Sequence, residues 1–277
     1  MLRSFPSLPP AAVERKVPGR RPRHGTGMNP TTTTAAPSTP SVPSTGTLLG
    51  VWAHPDDEAY LSSALMAAAR DAGHRVVVVT ATRGEQGTDD PGTWPPHRLA
   101  AVRERELAES LAVLGVLEHH WLDYHDGFLS SSPRGKAVDR LAGFIEAVRP
   151  DTIVTFGPDG MTGHDDHRTV SSWVTQARDE AGLPNRLWYA TVTPAFHERW
   201  GRVNDRVGLW FEGCRPPVTE RDDLAAEIVC DAGLQQRKHA ALRAHASQTD
   251  PLAAALGEER FAQWWATESF VDAPRAA

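Results

Sequence analysis

Residues 47–58 read Thr47-Leu48-Leu49-Gly50-Val51-Trp52-Ala53-His54-Pro55-Asp56-Asp57-Glu58, and the polarity breaks at His54. An apolar, β-forming run that stops in one imidazole and three carboxylates describes a buried strand delivering chemistry at its C-terminal edge. In open α/β sheets that edge is where ligands bind. His54 and Asp57 offer a nitrogen and an oxygen of the kind Zn²⁺ accepts, with Asp56 between them as a candidate base. The stretch points to a metal-dependent hydrolase whose remaining parts must come from elsewhere in the chain.

Outward from this stretch, strands and helices alternate. Thr47–Ala53 reads as a strand, Asp56–Ala72 as an Ala/Leu/Met-rich helix ended by Gly73, and Arg75–Ala81, with four consecutive valines, as a second buried strand. A polar loop follows, then a helix over His97–Leu114 that stops at Gly115. Strands are expected at Glu118–Leu122, Asp151–Phe156 and Arg186–Val192, with helices over Gly135–Val148 and Arg168–Ala181. This alternation predicts an α/β fold, Rossmann-like, with a mostly parallel sheet and helices on both faces. Beyond residue 200 the pattern thins. Val207–Phe211 reads as a strand, Glu220–Ala232 and Leu234–His245 as helices, and Arg260–Trp265 as a segment capping the end.

The chain has 277 residues and a formal net charge of −6. Residues 1–46 are rich in Pro, Thr, Ser and Arg, show no hydrophobic period and carry +5. They read as a disordered basic tail, because they bury too little apolar surface to offset the entropy of ordering. Met28 is an alternative start within it. Residues 47–277 read as one domain, which then carries −11. So acidic a body argues against nucleic acid as a partner. No run of 18 apolar residues is present to span a membrane. Arg20-Arg21 has the look of a twin-arginine export signal but lacks the apolar region after it, so a cytoplasmic location is expected. Cys214 and Cys230 are too few for a disulfide framework or a Cys-rich zinc site; they allow one bridge, with two free thiols the favoured reading.

A second polar cluster, Gly163-His164-Asp165-Asp166-His167, follows the strand at Asp151–Phe156. In a parallel sheet it can converge with His54 and Asp57. His54, Asp57 and His167 then make a His₂Asp set with a fourth position open, the arrangement of catalytic rather than structural zinc. Read alone, His164–His167 fits a polar helix start equally well, and His54 fits a hydrogen-bonded histidine. The pair of clusters, each directly after its own strand, favours the metal reading.

With these residues in view, the chain resembles the LmbE/PIG-L family of zinc-dependent N-deacetylases, which act on N-acetylglucosaminyl groups and related amides. His54-Pro55-Asp56-Asp57-Glu58 is similar to its signature, Thr82-Arg83-Gly84-Glu85-Gln86-Gly87 to its Thr-x-Gly-Glu-x-Gly loop, and Arg103-Glu104-Arg105-Glu106-Leu107 to its Arg-x-x-Glu-Leu helix. Gly163–His167 resembles Gly-His-x-Asp-His, and Lys238–Gln248 the late Lys…His-x-Ser-Gln element. The resemblance implies an LmbE-like domain with His54, Asp57 and His167 as zinc ligands, a set that Fe²⁺ can also occupy. It implies Asp56 as general base, and His164, as imidazolium, as the group that stabilises the oxyanion or protonates the leaving amine. Arg103 and Asp126 match positions that hold sugar hydroxyls. Their plain readings are a surface ion pair and a turn-forming Asp-Gly.

The implied activity is removal of an acyl group, acetyl foremost, from an N-acetylglucosaminyl-type or related N-acyl amine, a small-molecule partner. The alternatives are an amidase acting on a thiol–sugar conjugate or an antibiotic intermediate, and a non-catalytic carbohydrate- or nucleotide-binding module. Asp56 separates these, since a binding site has no need of a spare carboxylate beside a metal. Thr162 departs from the tyrosine that some mycothiol-pathway members carry there, which shifts weight onto His164. Glu58 and Glu85 read as supports. His245 reads as helix packing, and Trp94 either stacks on a sugar or anchors its loop. Oligomeric state leaves no trace in the sequence.

Overall fold

The computed structural model describes residues 44–215 and 217–275. The tail read as disordered lies, up to residue 43, outside the described residues. Thr45 is already buried, and its carbonyl accepts the Thr152 hydroxyl at 2.8 Å.

Five strands run parallel: β1 (Leu48–Trp52), β2 (Val76–Thr80), β3 (Glu118–Trp121), β4 (Thr152–Phe156) and β5 (Arg186–Thr191). β1, β2 and β4 are buried at every residue, as continuous apolar runs demand of strands covered on both faces. The order across the sheet is β3-β2-β1-β4-β5-β7-β6, with β7 (Thr267–Asp272) antiparallel to both β5 and β6 (Ala226–Val229). The predicted Rossmann-like arrangement is therefore what forms, with an antiparallel strand added near one edge. β1 pairs with β2 on one side and β4 on the other. The topological switch point lies between β1 and β4; His54 stands in the loop after β1 and His167 in the first turn of the helix that follows β4.

The helices are α1 (Asp57–Leu61), α2 (Ser63–Asp71), α3 (Pro96–Leu114), α4 (Arg134–Val148), α5 (Asp165–Ala181), α6 (Pro194–Arg206), α7 (Ala232–Ala244), α8 (Ala246–Leu256) and α9 (Glu258–Trp264). α2, α3 and α7 pack together, and α4 packs on α5. Among the described residues no helix is long and apolar enough to cross a membrane.

Three expectations change. The helix predicted over Asp56–Ala72 breaks at Ser62, because a buried carboxylate, Glu268, takes the Ala64 and Leu65 N–H groups at 2.8 and 2.9 Å and starts a second helix. Glu220–Ala232 is not a helix: it holds one 3₁₀ turn at Arg221–Asp223 and then β6. Ala226 and Ile228 face inward while Glu227 and Val229 do not, a period of two that the surrounding Asp and Ala residues mask. Val207–Phe211 is the turn after α6 rather than a strand, and α6 itself starts at a Thr193 cap followed by Pro194.

Candidate active site

The loops after β1, β2, β3 and β4 meet at the C-terminal edge of the sheet. His54, Asp56, Asp57, Arg103, Asp126, His164 and His167 all line one cleft there, which encloses about 1040 Å³ between atoms, part of it open to solvent. Strand order alone accounts for this meeting of residues more than 100 positions apart.

The tautomers of the two buried histidines follow from their partners. His54 Nε2 lies 3.0 Å from Asp126 Oδ1 and 3.3 Å from Asp166 Oδ2, so it carries a proton and donates to carboxylates. His167 Nδ1 lies 3.0 Å from the Gly160 carbonyl and donates to it. The remaining nitrogens, His54 Nδ1 and His167 Nε2, face each other at 3.2 Å. Asp57 joins them, 3.6 Å from His54 Nδ1 and 3.4 Å from His167 Nε2. Two ring nitrogens and a carboxylate that converge in a buried space suit a cation between them. His54, Asp57 and His167 are thus a group able to hold a metal ion, their ligand atoms all within 4.8 Å of one another. Burial opposes a charge on His54, yet the Asp126, Asp166 and Asp57 carboxylates outweigh it and, with no metal bound, push the imidazole up to about 10, so that Nδ1 also carries a proton that a metal ion bound there would displace. Burial and the His54 charge hold His167 well below the ordinary histidine value.

A second trio, His54, His164 and Asp166, is also close enough for an ion. Asp166 is spent elsewhere, however. It accepts N–H bonds from Gly127 at 2.7 Å and Leu129 at 3.1 Å besides its contact with His54. With 1 % exposure it is no solvated helix-start residue: it fixes the orientation of the His54 ring, as a carboxylate behind a candidate metal-binding histidine does.

Asp56 sits at φ 107°, ψ −27°, a left-handed backbone that costs a non-glycine residue about 1–3 kcal/mol. Its neighbours hold it there. Glu58 Oε2 accepts the Asp56 N–H at 2.9 Å, and Arg103 reaches both the Pro55 carbonyl and, at 3.2 Å, Asp56 Oδ2. Burial raises the Asp56 carboxyl to about 6, with Arg103 opposing and Asp57 adding to the rise. A carboxylate near that value accepts a proton close to neutral pH.

Arg103 explains the glycine loop. A Cβ on Gly84 (φ +64°) would lie 2.2 Å from Arg103 Nη1, and one on Gly87 would lie 2.6 Å from it. The guanidinium fills the space those side chains would take, donating to the Gly84 carbonyl at 2.8 Å. Arg103 is therefore a buried residue that grips Asp56 while facing the cleft, and the exposed ion-pair reading does not apply to it. Asp126, likewise buried, spends one oxygen on His54 and the other on the Gln86 N–H at 2.8 Å. Glu85 supports it by accepting the Asp126 N–H at 3.1 Å.

His164 caps α5: its Nδ1 accepts the Asp166 N–H at 3.1 Å, which leaves the ring proton on Nε2. Burial, then the neighbouring His54 and His167 rings, push its imidazole down to about 2. The neutral Nε2–H is the donor it has to offer. Thr162 lies on the cleft wall, its hydroxyl 3.4 Å from His167 Nδ1.

The sequence reading missed the rest of the cleft. Tyr60, Leu209, Phe211, Leu252, Trp264 and Trp265 form an apolar wall opposite the ligand loops. Trp94 is not part of it and stacks under Arg98 at 4.9 Å instead, anchoring its own loop. The adjacent pair Trp264-Trp265 was the available signal, in a stretch where helix and strand patterns were weakest.

Comparison with known proteins agrees with this geometry. Residues 49–178 match the family described as PIG-L: GlcNAc-PI de-N-acetylase. A 1D-myo-inositol 2-acetamido-2-deoxy-alpha-D-glucopyranoside deacetylase of Saccharomonospora viridis is 31% identical over 228 residues, covering 73% of this chain and 84% of the relative. Among solved structures, the N,N'-diacetylchitobiose deacetylase of Pyrococcus horikoshii superposes with a TM-score of 0.58 at 23% identity, over 83% of this chain and 84% of that one. GalB, the 4-carboxy-2-hydroxymuconate hydratase of Pseudomonas putida KT2440, gives the same TM-score of 0.58 at 15% identity, over 84% and 98%. The two structures speak for the fold, which hosts more than one chemistry. The sequence relatives and the shared motifs go further: the chain belongs to the PIG-L family of GlcNAc-PI de-N-acetylases.

Proposed function

We propose that the protein is a zinc-dependent deacetylase that hydrolyses the acetamide of an N-acetylglucosaminyl conjugate or a closely related N-acyl amine. The observation that carries this reading is the convergence of His54 Nδ1, His167 Nε2 and Asp57, with a second, differently held carboxylate, Asp56, directly beside them. The relatives at about 30% identity, named as deacetylases of an acetamido-glucopyranosyl inositol, favour an amino-sugar substrate. A nitrogen/oxygen donor set of this kind suits zinc, and Fe²⁺ as well.

Zinc held by these three residues would lower the pKa of a water and polarise the amide carbonyl. The chain's own groups do the rest. Asp56, aimed by Arg103 and its strained backbone, takes the proton of the attacking water. His164 donates its Nε2–H to the oxyanion as the carbonyl becomes tetrahedral. The proton on Asp56 then passes to the nitrogen as the C–N bond breaks, and acetate and the free amine leave. Neutral His164 serves here as a hydrogen-bond donor, while Asp56 covers both base and acid. Arg103 and Asp126 act first by holding Asp56 and His54, and also face the substrate.

The test is amine release from a panel of N-acetylated amino sugars and their glycosides. Turnover is expected only with metal present, lost to a chelator and restored by added Zn²⁺. Asp56→Asn is expected to keep stoichiometric metal and lose about 10²–10⁴-fold in kcat, the range for removing a general base. A substituted protein as active as the parent would remove the base assignment and favour a binding module.

A further inference from the structure

Asp56 cannot hold its left-handed backbone unaided, and its amide has one acceptor among the described residues: Glu58 Oε2, at 2.9 Å. The other oxygen of that carboxylate is also occupied. Glu58 Oε1 accepts from His245 Nε2 at 2.8 Å and from the Ser110 hydroxyl at 3.1 Å. Glu58 and His245 are both fully buried, 0 % exposed, and neither lines the cleft. His245 Nδ1 has no partner among the described residues, so the ring's hydrogen bonding is given wholly to Glu58. Its backbone is rigid, because it sits at the junction of α7 and α8, where its carbonyl accepts the Gln248 and Thr249 N–H groups at 2.9 Å each.

We infer that His245 is a positioning residue for the base: it fixes the Glu58 carboxylate, which fixes the Asp56 amide and so aims the Asp56 side chain. The inference rests on the deacetylase reading. His245 touches neither substrate nor metal, being absent from the cleft wall and from both groups able to hold an ion. Its effect runs through two hydrogen bonds in series, from an α7–α8 junction far along the chain to the residue that moves the proton. Without the Nε2–H, Glu58 is held on one side by Ser110 alone and is free to turn. The Asp56 amide then loses its acceptor, the backbone relaxes from φ 107°, and the carboxylate shifts from its aim at the water. A misplacement on the scale of about 1 Å lowers turnover by about 10²-fold without weakening binding.

The test is a double-mutant cycle on the metal-loaded protein, with N-acetylglucosamine glycosides as substrates. His245→Leu is expected to lower kcat about 10²-fold, leave KM within about twofold and retain stoichiometric metal. His245→Gln, which keeps an N–H near Glu58, is expected to recover about tenfold of that loss. In an Asp56→Asn background, His245→Leu should cost nothing more, because the group it aims is gone. General structural damage would instead subtract the same factor in both backgrounds, and that result overturns the inference, as does unchanged kcat in His245→Leu. If the leucine variant does not fold, His245→Gln and Glu58→Gln carry the same cycle. Absence of amine release by the parent protein on every substrate strikes the deacetylase reading, and the inference falls with it. Turnover in the parent with additive variants strikes the inference alone.

Discussion

His54 works through a division between its two ring nitrogens. Nε2 is locked as a donor by two carboxylates, and that lock leaves Nδ1 as the nitrogen turned toward Asp57 and His167. His167 is set by the same logic from the other side, its Nδ1 proton directed to the Gly160 carbonyl. Each imidazole is therefore oriented by a partner outside the candidate metal site, and neither substitutes for the other. His167→Ala leaves one imidazole and one carboxylate, too few ligands to retain zinc against water. Its expected signature is metal content well below one per chain by mass spectrometry, together with loss of the rise in melting temperature that added Zn²⁺ gives the parent through binding to the folded state alone. Stoichiometric zinc in that variant would remove His167 from the ligand set. These three candidate ligands could be picked out because ligand-bearing residue types follow the apolar runs of β1 and β4. Their partners were less decided: Asp126 reads as a sugar-binding or turn residue, and Asp166 equally as a support for a histidine nitrogen or a solvated helix start, until burial in the fold decides.

The break between α1 and α2 shows an element being shaped by distant sequence. Lys238 on α7 donates to the Ala59 and Tyr60 carbonyls at the end of α1, at 3.0 and 2.7 Å, and pairs with Glu268 of β7 at 2.6 Å. Glu268 in turn caps the start of α2. One buried ion pair thus satisfies the free groups on both sides of the break, and it holds α1, which carries Asp57 and Glu58, against α7, which leads into His245. Lys238→Met strands the Glu268 carboxylate in the core, and a loss of about 3–5 kcal/mol in urea unfolding is expected. The pair Lys238→Met with Glu268→Leu removes both charges and should recover part of that loss, though the helix cap stays broken. A single variant as stable as the parent would show the pair to be dispensable. Propensity could read β1, β2 and β4 because strands buried on both faces are continuous apolar runs. β6 and the α1–α2 break escaped it, since pairing with β7 and contacts with Lys238 and Glu268 decide them, not local composition.

At the scale of the whole molecule the cleft has two unlike sides. The parallel half of the sheet supplies polar loops and the reacting groups, and the late part of the chain supplies a wall of Leu209, Phe211, Leu252, Trp264 and Trp265, joined by Tyr60 from α1. Since the fold is shared with both a deacetylase and a hydratase, the fold alone does not choose the substrate. The Tyr60 hydroxyl and Trp265 Nε1 are buried without a hydrogen-bond partner among the described residues, so these rings meet the cleft through their carbon surfaces. A substrate matched to this surface presents an apolar group beside its amino sugar. Phenyl or alkyl glycosides of N-acetylglucosamine are accordingly expected to show kcat/KM about tenfold or more above the free sugar, since burying such a group is worth about 1.5–3 kcal/mol. Trp265→Ala should erase most of that difference by raising KM for the aryl glycoside, while kcat on the free sugar, set at the other side of the cleft, stays near the parent value. Equal kcat/KM on free and aryl sugars in the parent protein would mean that the wall packs the fold and does not meet the substrate.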